Sequence, residues 1–133
     1  MSYQLDFTHR HTYTSKRGIA LPITLLSDLT TFVDFSANLD TGSTYCIFEK
    51  KYADWLKLDL HTGTPLKVST ATGYFRAYGH EITLSFFDLE WQATVYFAEE
   101  ESFSINVLGR TGFLDRLKIG LIDYEDLIYM ALY

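Results

Sequence analysis

Residues 31–39 carry Phe32, Val33, Phe35, Ala37 and Leu39 and run directly into Asp40-Thr41-Gly42-Ser43. This reads as a strand that ends in a carboxylate. A strand that leaves a core and stops at Asp-Thr-Gly holds an acid on a tight, glycine-permitted turn, its oxygens free to face a groove and its flanks rigid. Acid/base chemistry is one use for such a carboxylate. Closing an Asx-type turn is the other, because Asp and Gly form turns in any protein.

The flanking sequence is that of a β domain. Aromatic residues make up 17% of the chain and charged residues 21%, which excludes a disordered chain and suits a compact fold built from Tyr, Phe, Thr and Val. A length of 133 residues fits one domain, residues 1–133, with no linker and no internal repeat. Residues 3–7 alternate apolar and polar, and residues 19–26 form an apolar strand after the turn-like Ser15-Lys16-Arg17-Gly18. After the acid turn, residues 44–48 return as a short strand. Residues 49–56 then have helical spacing, with Phe48, Tyr52, Trp55 and Leu56 on one side.

Gly63-Thr64-Pro65 breaks that helix, residues 66–68 are extended, and residues 69–75 read as a hairpin tip with little to bury. Residues 78–88 and 91–97 are two further strands, turned at Asp88-Leu89-Glu90 and followed by a solvated loop at Glu99-Glu100-Glu101. A strand over residues 104–108 leads into Gly109-Arg110-Thr111-Gly112. A short helix over 113–117 and a strand over 119–122 come next. The spacing of Tyr124, Leu127, Ile128 and Ala131 predicts a closing helix capped by Asp123.

Several functions are excluded at this level. The net charge is −6 and no basic cluster is longer than a pair, so nucleic acid is not an expected partner. The single Cys46 cannot form an intrachain disulfide, and between Tyr45 and Ile47 it reads as a buried, inert thiol. The first residues do not read as a secretory signal and no apolar run is long enough to span a bilayer. The expectation is a cytoplasmic protein without a membrane partner. His9, His11, His61 and His80 lack metal-site spacing, and there is no G-x-G-x-x-G, Walker loop or G-x-S-x-G, so neither metal nor organic cofactor is expected.

What remains is Asp40 together with Val107-Leu108-Gly109-Arg110, about seventy residues downstream. The Asp-Thr-Gly-Ser turn, a glycine-bearing hairpin some thirty residues later, and an apolar-apolar-Gly-Arg element before a short helix resemble the retropepsin-like aspartic proteases. The resemblance extends from the opening hairpin to Ile122. It implies a mostly β fold, a closed antiparallel β-barrel of the acid-protease type with one or two short helices. It further implies that Asp40 is the catalytic acid, supported by Thr41, Gly42 and Ser43. Val107, Leu108, Gly109 and Arg110 would thread beneath the acid loop and buttress it, and the hairpin of Thr70, Ala71, Thr72, Gly73 and Tyr74 would be a flap over a bound peptide.

Two carboxylates held close cannot both ionise, so one keeps a proton while the other activates a shared water. A chain with one Asp-Thr-Gly and no room for a second lobe then implies a homodimer, with Asp40 from each subunit at a two-fold axis and a peptide or protein as substrate. Two departures stand out. Thr44 occupies the position where retroviral members carry an acid that pairs with the Arg of the Gly-Arg element, so Arg110 needs another partner. The chain also continues past Ile122, where the predicted closing helix is not the terminal strand of a retroviral dimer. A module that keeps the fold but only binds peptides or dimerises is the alternative. An unrelated β-barrel would make both Asp40-Thr41-Gly42 and the Gly109-Arg110 element coincidences.

Overall fold

The computed structural model describes residues 1–14 and 18–133; the turn expected at residues 15–18 falls mostly outside them. Period-2 alternation sets the first hairpin. Strand β2 (Ala20–Leu26) turns Leu21, Ile23 and Leu25 inward, and β3 (Phe32–Leu39) answers with Val33 and Ala37. The chain then forms β4 (Ile47–Phe48), a helix α1 (Lys50–Trp55), β5 (Thr64–Thr70), β6 (Gly73–Phe86), β7 (Leu89–Ala98) and β8 (Val107–Leu108). These strands hydrogen-bond in the order β2-β3-β8-β4-β7-β6-β5, and β2 also pairs with β6 through Thr24↔Ser85, Leu25↔Leu84 and Leu26↔Thr83. The second pairing closes the sheet into a ring, with β5 attached outside it.

Most pairings are antiparallel, while β3–β8 and β4–β7 are parallel. Those two exceptions lie where the acid loop is built. Phe48, Phe86, Phe97 and Phe113 are fully buried inside the ring, each worth roughly 1.5–3 kcal/mol of burial. Helix α1 closes one side of this core by stacking Tyr52 on Phe35, ring centroids 3.8 Å apart and planes within 8°. Strand β6 is long enough to serve two surroundings: Ala77 is buried and Gly79 packs under Tyr96 in its first half, whereas Ile82, Leu84 and Phe86 fill the core in its second.

A separate sheet has the order β1 (His9–Thr12), β10 (Leu127–Leu132), β9 (Leu117–Ile122). Here the predicted closing helix is corrected to a strand. Asp123 does not cap a helix, because its carboxylate takes the Tyr13 hydroxyl at 2.5 Å, a contact that pushes the tyrosine up to about 12. A single 3-10 turn (Asp123–Glu125) stops at Asp126, whose φ of 57° is left-handed. Pairing on both sides then decides the outcome, with Ile128 and Met130 alternately buried.

Two other expectations also give way. Residues 3–7 form no strand; Phe7 instead lays its ring against Gly120 and Tyr129, and pairing starts where the Thr8 N–H meets Met130 O at 3.0 Å. The strand expected over residues 104–108 shrinks to Val107–Leu108. Asn106 is diverted to hold the start of α1, accepting from Glu49 N–H at 3.0 Å and donating to Glu49 Oε2 at 2.7 Å. The short helix expected over 113–117 is a 3-10 turn at Leu114–Arg116. Among the described residues no helix is long and apolar enough to cross a membrane.

Candidate active site

Asp40 is held by its backbone before its side chain does anything. Strand β3 ends in a parallel pairing with β8, Asn38↔Val107 and Leu39↔Leu108, and the Asp40 N–H donates to Leu108 O at 3.0 Å. Gly42 N–H then donates to Asp40 Oδ1 at 2.9 Å and Ser43 N–H to Asp40 O at 3.1 Å, so the Asx turn does form. It occupies one carboxylate oxygen. Asp40 is exposed, and its Oδ2 has no hydrogen-bond partner among the described residues.

The returning chain is locked onto the Gly109 segment. Arg110 N–H donates to Ser43 O at 2.9 Å and Thr111 N–H to Thr44 O at 2.8 Å. A Cβ at Gly109 would sit 2.3 Å from Tyr45 O and 2.7 Å from Ser43 O, both backbone atoms, so only glycine allows the two segments to pass this closely. Beneath the crossing, Gly109 N–H points at Cys46 Sγ at 3.4 Å, and burial pushes that thiol up to about 12. Cys46 is the inert core thiol expected.

Ser43 Oγ braces the loop by donating to Tyr45 O at 2.7 Å. Thr41 is exposed, and among the described residues the side-chain bonds of the loop come from Asp40 and Ser43. Arg110 is exposed and, among the described residues, in no ion pair. Its side chain lines a hollow of about 310 Å³ shared with Thr44, Leu114 and Asp115.

Beside the acid loop lies a groove of about 360 Å³. One wall is Gly42 to Tyr45 with Ile47, and the other is Leu66, Lys67, Val68 and Ser69 of β5. The β5–β6 hairpin is present as expected, its tip at Ala71 and Thr72 between paired Thr70 and Gly73. Neither tip residue has a positive φ; Gly73, at φ 147°, provides the unusual backbone. Residues 70–74 do not line the groove. Its wall comes from the preceding residues of β5: Leu66, Lys67 and Val68, which sequence reasoning had placed only as an extended segment, and Ser69, which it had placed in the hairpin tip.

The aromatic residues separate accordingly. Tyr45 lines the groove and meets Tyr96 edge-on at 5.0 Å. Tyr74 lies under Lys67 Nζ, 4.2 Å from the ring centroid, and Phe75 packs on Phe103 at 4.6 Å. The acidic loop after β7 is tied to the hairpin base, since Glu99 N–H donates to Arg76 O at 2.9 Å and Glu99 Oε2 accepts the Tyr78 hydroxyl at 2.9 Å.

A ring of strands, an Asp-Thr-Gly loop braced by a passing Gly-Arg segment, and a hairpin beside the resulting groove define a retropepsin-like fold. Among solved structures the chain is similar to the crystal structure of a retropepsin-like aspartic protease from Rickettsia conorii, with a TM-score of 0.67 and 19% identity over 92% of this chain and 98% of that one. It is also similar to EIAV protease complexed with the inhibitor HBY-793, with a TM-score of 0.57 and 14% identity over 75% of this chain and 88% of that one. No protein-family model and no curated protein matches the sequence.

Proposed function

We propose that the protein is an aspartic endopeptidase that hydrolyses peptide bonds in extended polypeptide segments. The observation that carries this reading is the exposed Asp40 carboxylate, fixed through its own backbone to β8 at the start of the loop whose Gly42 to Tyr45 wall a groove of about 360 Å³. One such carboxylate per chain requires a second copy. The two Asp40 side chains share one proton; the ionised one takes a proton from water, whose oxygen attacks the scissile carbonyl carbon, while the protonated one donates to the carbonyl oxygen. Collapse of the tetrahedral species breaks the C–N bond, and the amine leaves with a proton.

In this reading β5 and the hairpin tip are the flap, with Thr70, Ala71, Thr72, Gly73 and Tyr74 closing over substrate and Leu66 to Ser69 touching it. An extended substrate is favoured because β5 ends the strand order and keeps an open edge for main-chain hydrogen bonds. Thr41 and Gly42 shape the approach to the paired carboxylate. Gly109 and Arg110 hold the loop from below. The single buried thiol suits a reducing, cytoplasmic setting.

The test is cleavage of a degenerate peptide library between pH 3 and 8 by the wild type and by Asp40→Asn, with and without a statine-type transition-state mimic. The reading expects cutting that favours acidic to neutral pH, abolished by the substitution and by the inhibitor. A folded, dimeric wild type that cuts nothing would make this a peptide-binding module instead.

A further inference from the structure

We infer that the hollow beside Thr44 is a subsite for a carboxylate of the substrate, so that the groove selects extended segments carrying an acidic side chain a few residues from the bond that is cut. This takes the groove to hold an extended peptide, and so rests on the proposed function. The starting point is a cation without a partner. Arg110 is exposed, and among the described residues its guanidinium makes no ion pair and no hydrogen bond. Its main chain, in contrast, is held on both sides: its N–H donates to Ser43 O at 2.9 Å and its carbonyl accepts from Asp115 N–H at 2.9 Å. The brace of the acid loop uses the backbone of Arg110 and leaves its side chain unused.

The hollow, of about 310 Å³, is lined by groups that suit an anion. The guanidinium offers a planar fork of N–H donors that matches a carboxylate. Thr44 and Thr111 are exposed, and among the described residues neither hydroxyl bonds to another group, so two further donors stand beside the fork. Leu114, half-buried, gives the methylenes of a glutamate or aspartate an apolar surface. Asp115 is the one carboxylate in the lining, and it is engaged elsewhere. Its Oδ1 accepts Gly112 N–H at 3.0 Å and lies 3.6 Å from Arg116 Nε.

Thr44 also lines the groove, so the hollow adjoins the groove across this residue. It follows Asp40 by four residues, which places its Cα within about 14 Å of the acid. At about 3.3 Å per residue, a side chain seated in the hollow belongs to a residue within about four positions of the scissile bond. The groove itself is lined by one cation, Lys67, and by no carboxylate. These cations stand in a chain of net charge −6, whose overall field repels acidic peptides. Selection then comes from contact, not from attraction at a distance. In a two-fold pair each copy supplies an Arg110, so the preference falls on both sides of the bond.

The test reads binding and cleavage separately. Asp40→Asn is titrated into fluorescent decapeptide libraries in which Glu, or its neutral counterpart Gln, is fixed at one position at a time, and affinity is read by anisotropy. Glu should bind about tenfold tighter than Gln at about pH 6, at one position in each half of the peptide, and the ratio should shrink as pH falls through about 4.3, where glutamate takes up a proton. Adding Arg110→Gln, with its far-UV spectrum checked, should bring the ratio to about one, whereas Arg110→Lys, which keeps the charge and loses the fork, should retain part of it. Equal affinities for Glu and Gln, a ratio indifferent to pH, or a ratio that survives Arg110→Gln would overturn the inference. So would a dimer that binds both peptides alike and dissociates on Arg110→Gln, since the guanidinium would then serve the partner copy. The ratio and its pH dependence need no change at residue 110. Cleavage of the same libraries by the wild type separates the two claims: cutting without acidic preference sinks only the subsite, whereas Glu-selective binding without cutting sinks only the peptidase reading.

Discussion

Gly109 shows how much of this site depends on what a residue lacks. Its Cβ position lies inside the backbone of Tyr45 and Ser43, so Gly109→Ala should destabilise the domain by about 3 kcal/mol or more, read by chemical denaturation. An unchanged midpoint would mean that the crossing can widen freely. Cys46 makes the opposite case of a reactive group made inert: fully buried and held well above its ordinary range, it should resist thiol reagents in the native protein and react on unfolding. His11 gives the fold a pH dependence. Burial against Phe87, ring centroids 4.4 Å apart, lowers it below 6.5, with His9 and Asp88 alongside. The unfolded chain therefore binds that proton more readily, and the His11 contribution is complete above pH 6.5 and falls away as pH drops through it. The melting temperature should fall between pH 7.5 and 5.5, and less so in His11→Phe.

At the scale of elements, the readable parts were those whose signal is local. The strand into Asp40 follows from alternation and the turn from Asp-Gly chemistry, and the helix after Phe48 comes from a 3.6-residue pattern that the structure keeps at Lys50–Trp55. The C-terminal segment was misread because Leu127, Ile128 and Ala131 fit a helical stripe as well as a strand, and only the flanking β1 and β9, with Asp123 diverted to Tyr13, select the strand. Asn106 was invisible for a similar reason: its partner Glu49 is distant in sequence. The groove wall at Leu66 to Ser69 could have been drawn from the strand that feeds the hairpin, but nothing local says which strand lies beside Asp40. For the hairpin itself, Gly73→Val places a β-branched residue at φ 147° in open space, so strain rather than collision is introduced. It should lower kcat/KM by on the order of tenfold; an unchanged kcat/KM would mean that the hairpin does not close over substrate.

Across the whole molecule, one passing segment holds both ends of the acid loop: β8 pairs in parallel with β3 before Asp40, and Arg110 and Thr111 bond to Ser43 and Thr44 after it. The ring makes the site rigid and leaves the chemistry short of one carboxylate. In the proposed peptidase chemistry a second copy is part of the catalyst, and the dependence of activity on that copy is the central claim. The most direct measurement mixes wild type with Asp40→Asn at constant total protein, lets subunits exchange, and follows peptide cleavage. If both carboxylates are required, an equal mixture keeps only wild-type pairs active, and the rate falls to about a quarter of the wild-type value. A rate of about one half, declining in proportion to the wild-type fraction, would mean that each Asp40 works alone and would contradict the shared dyad.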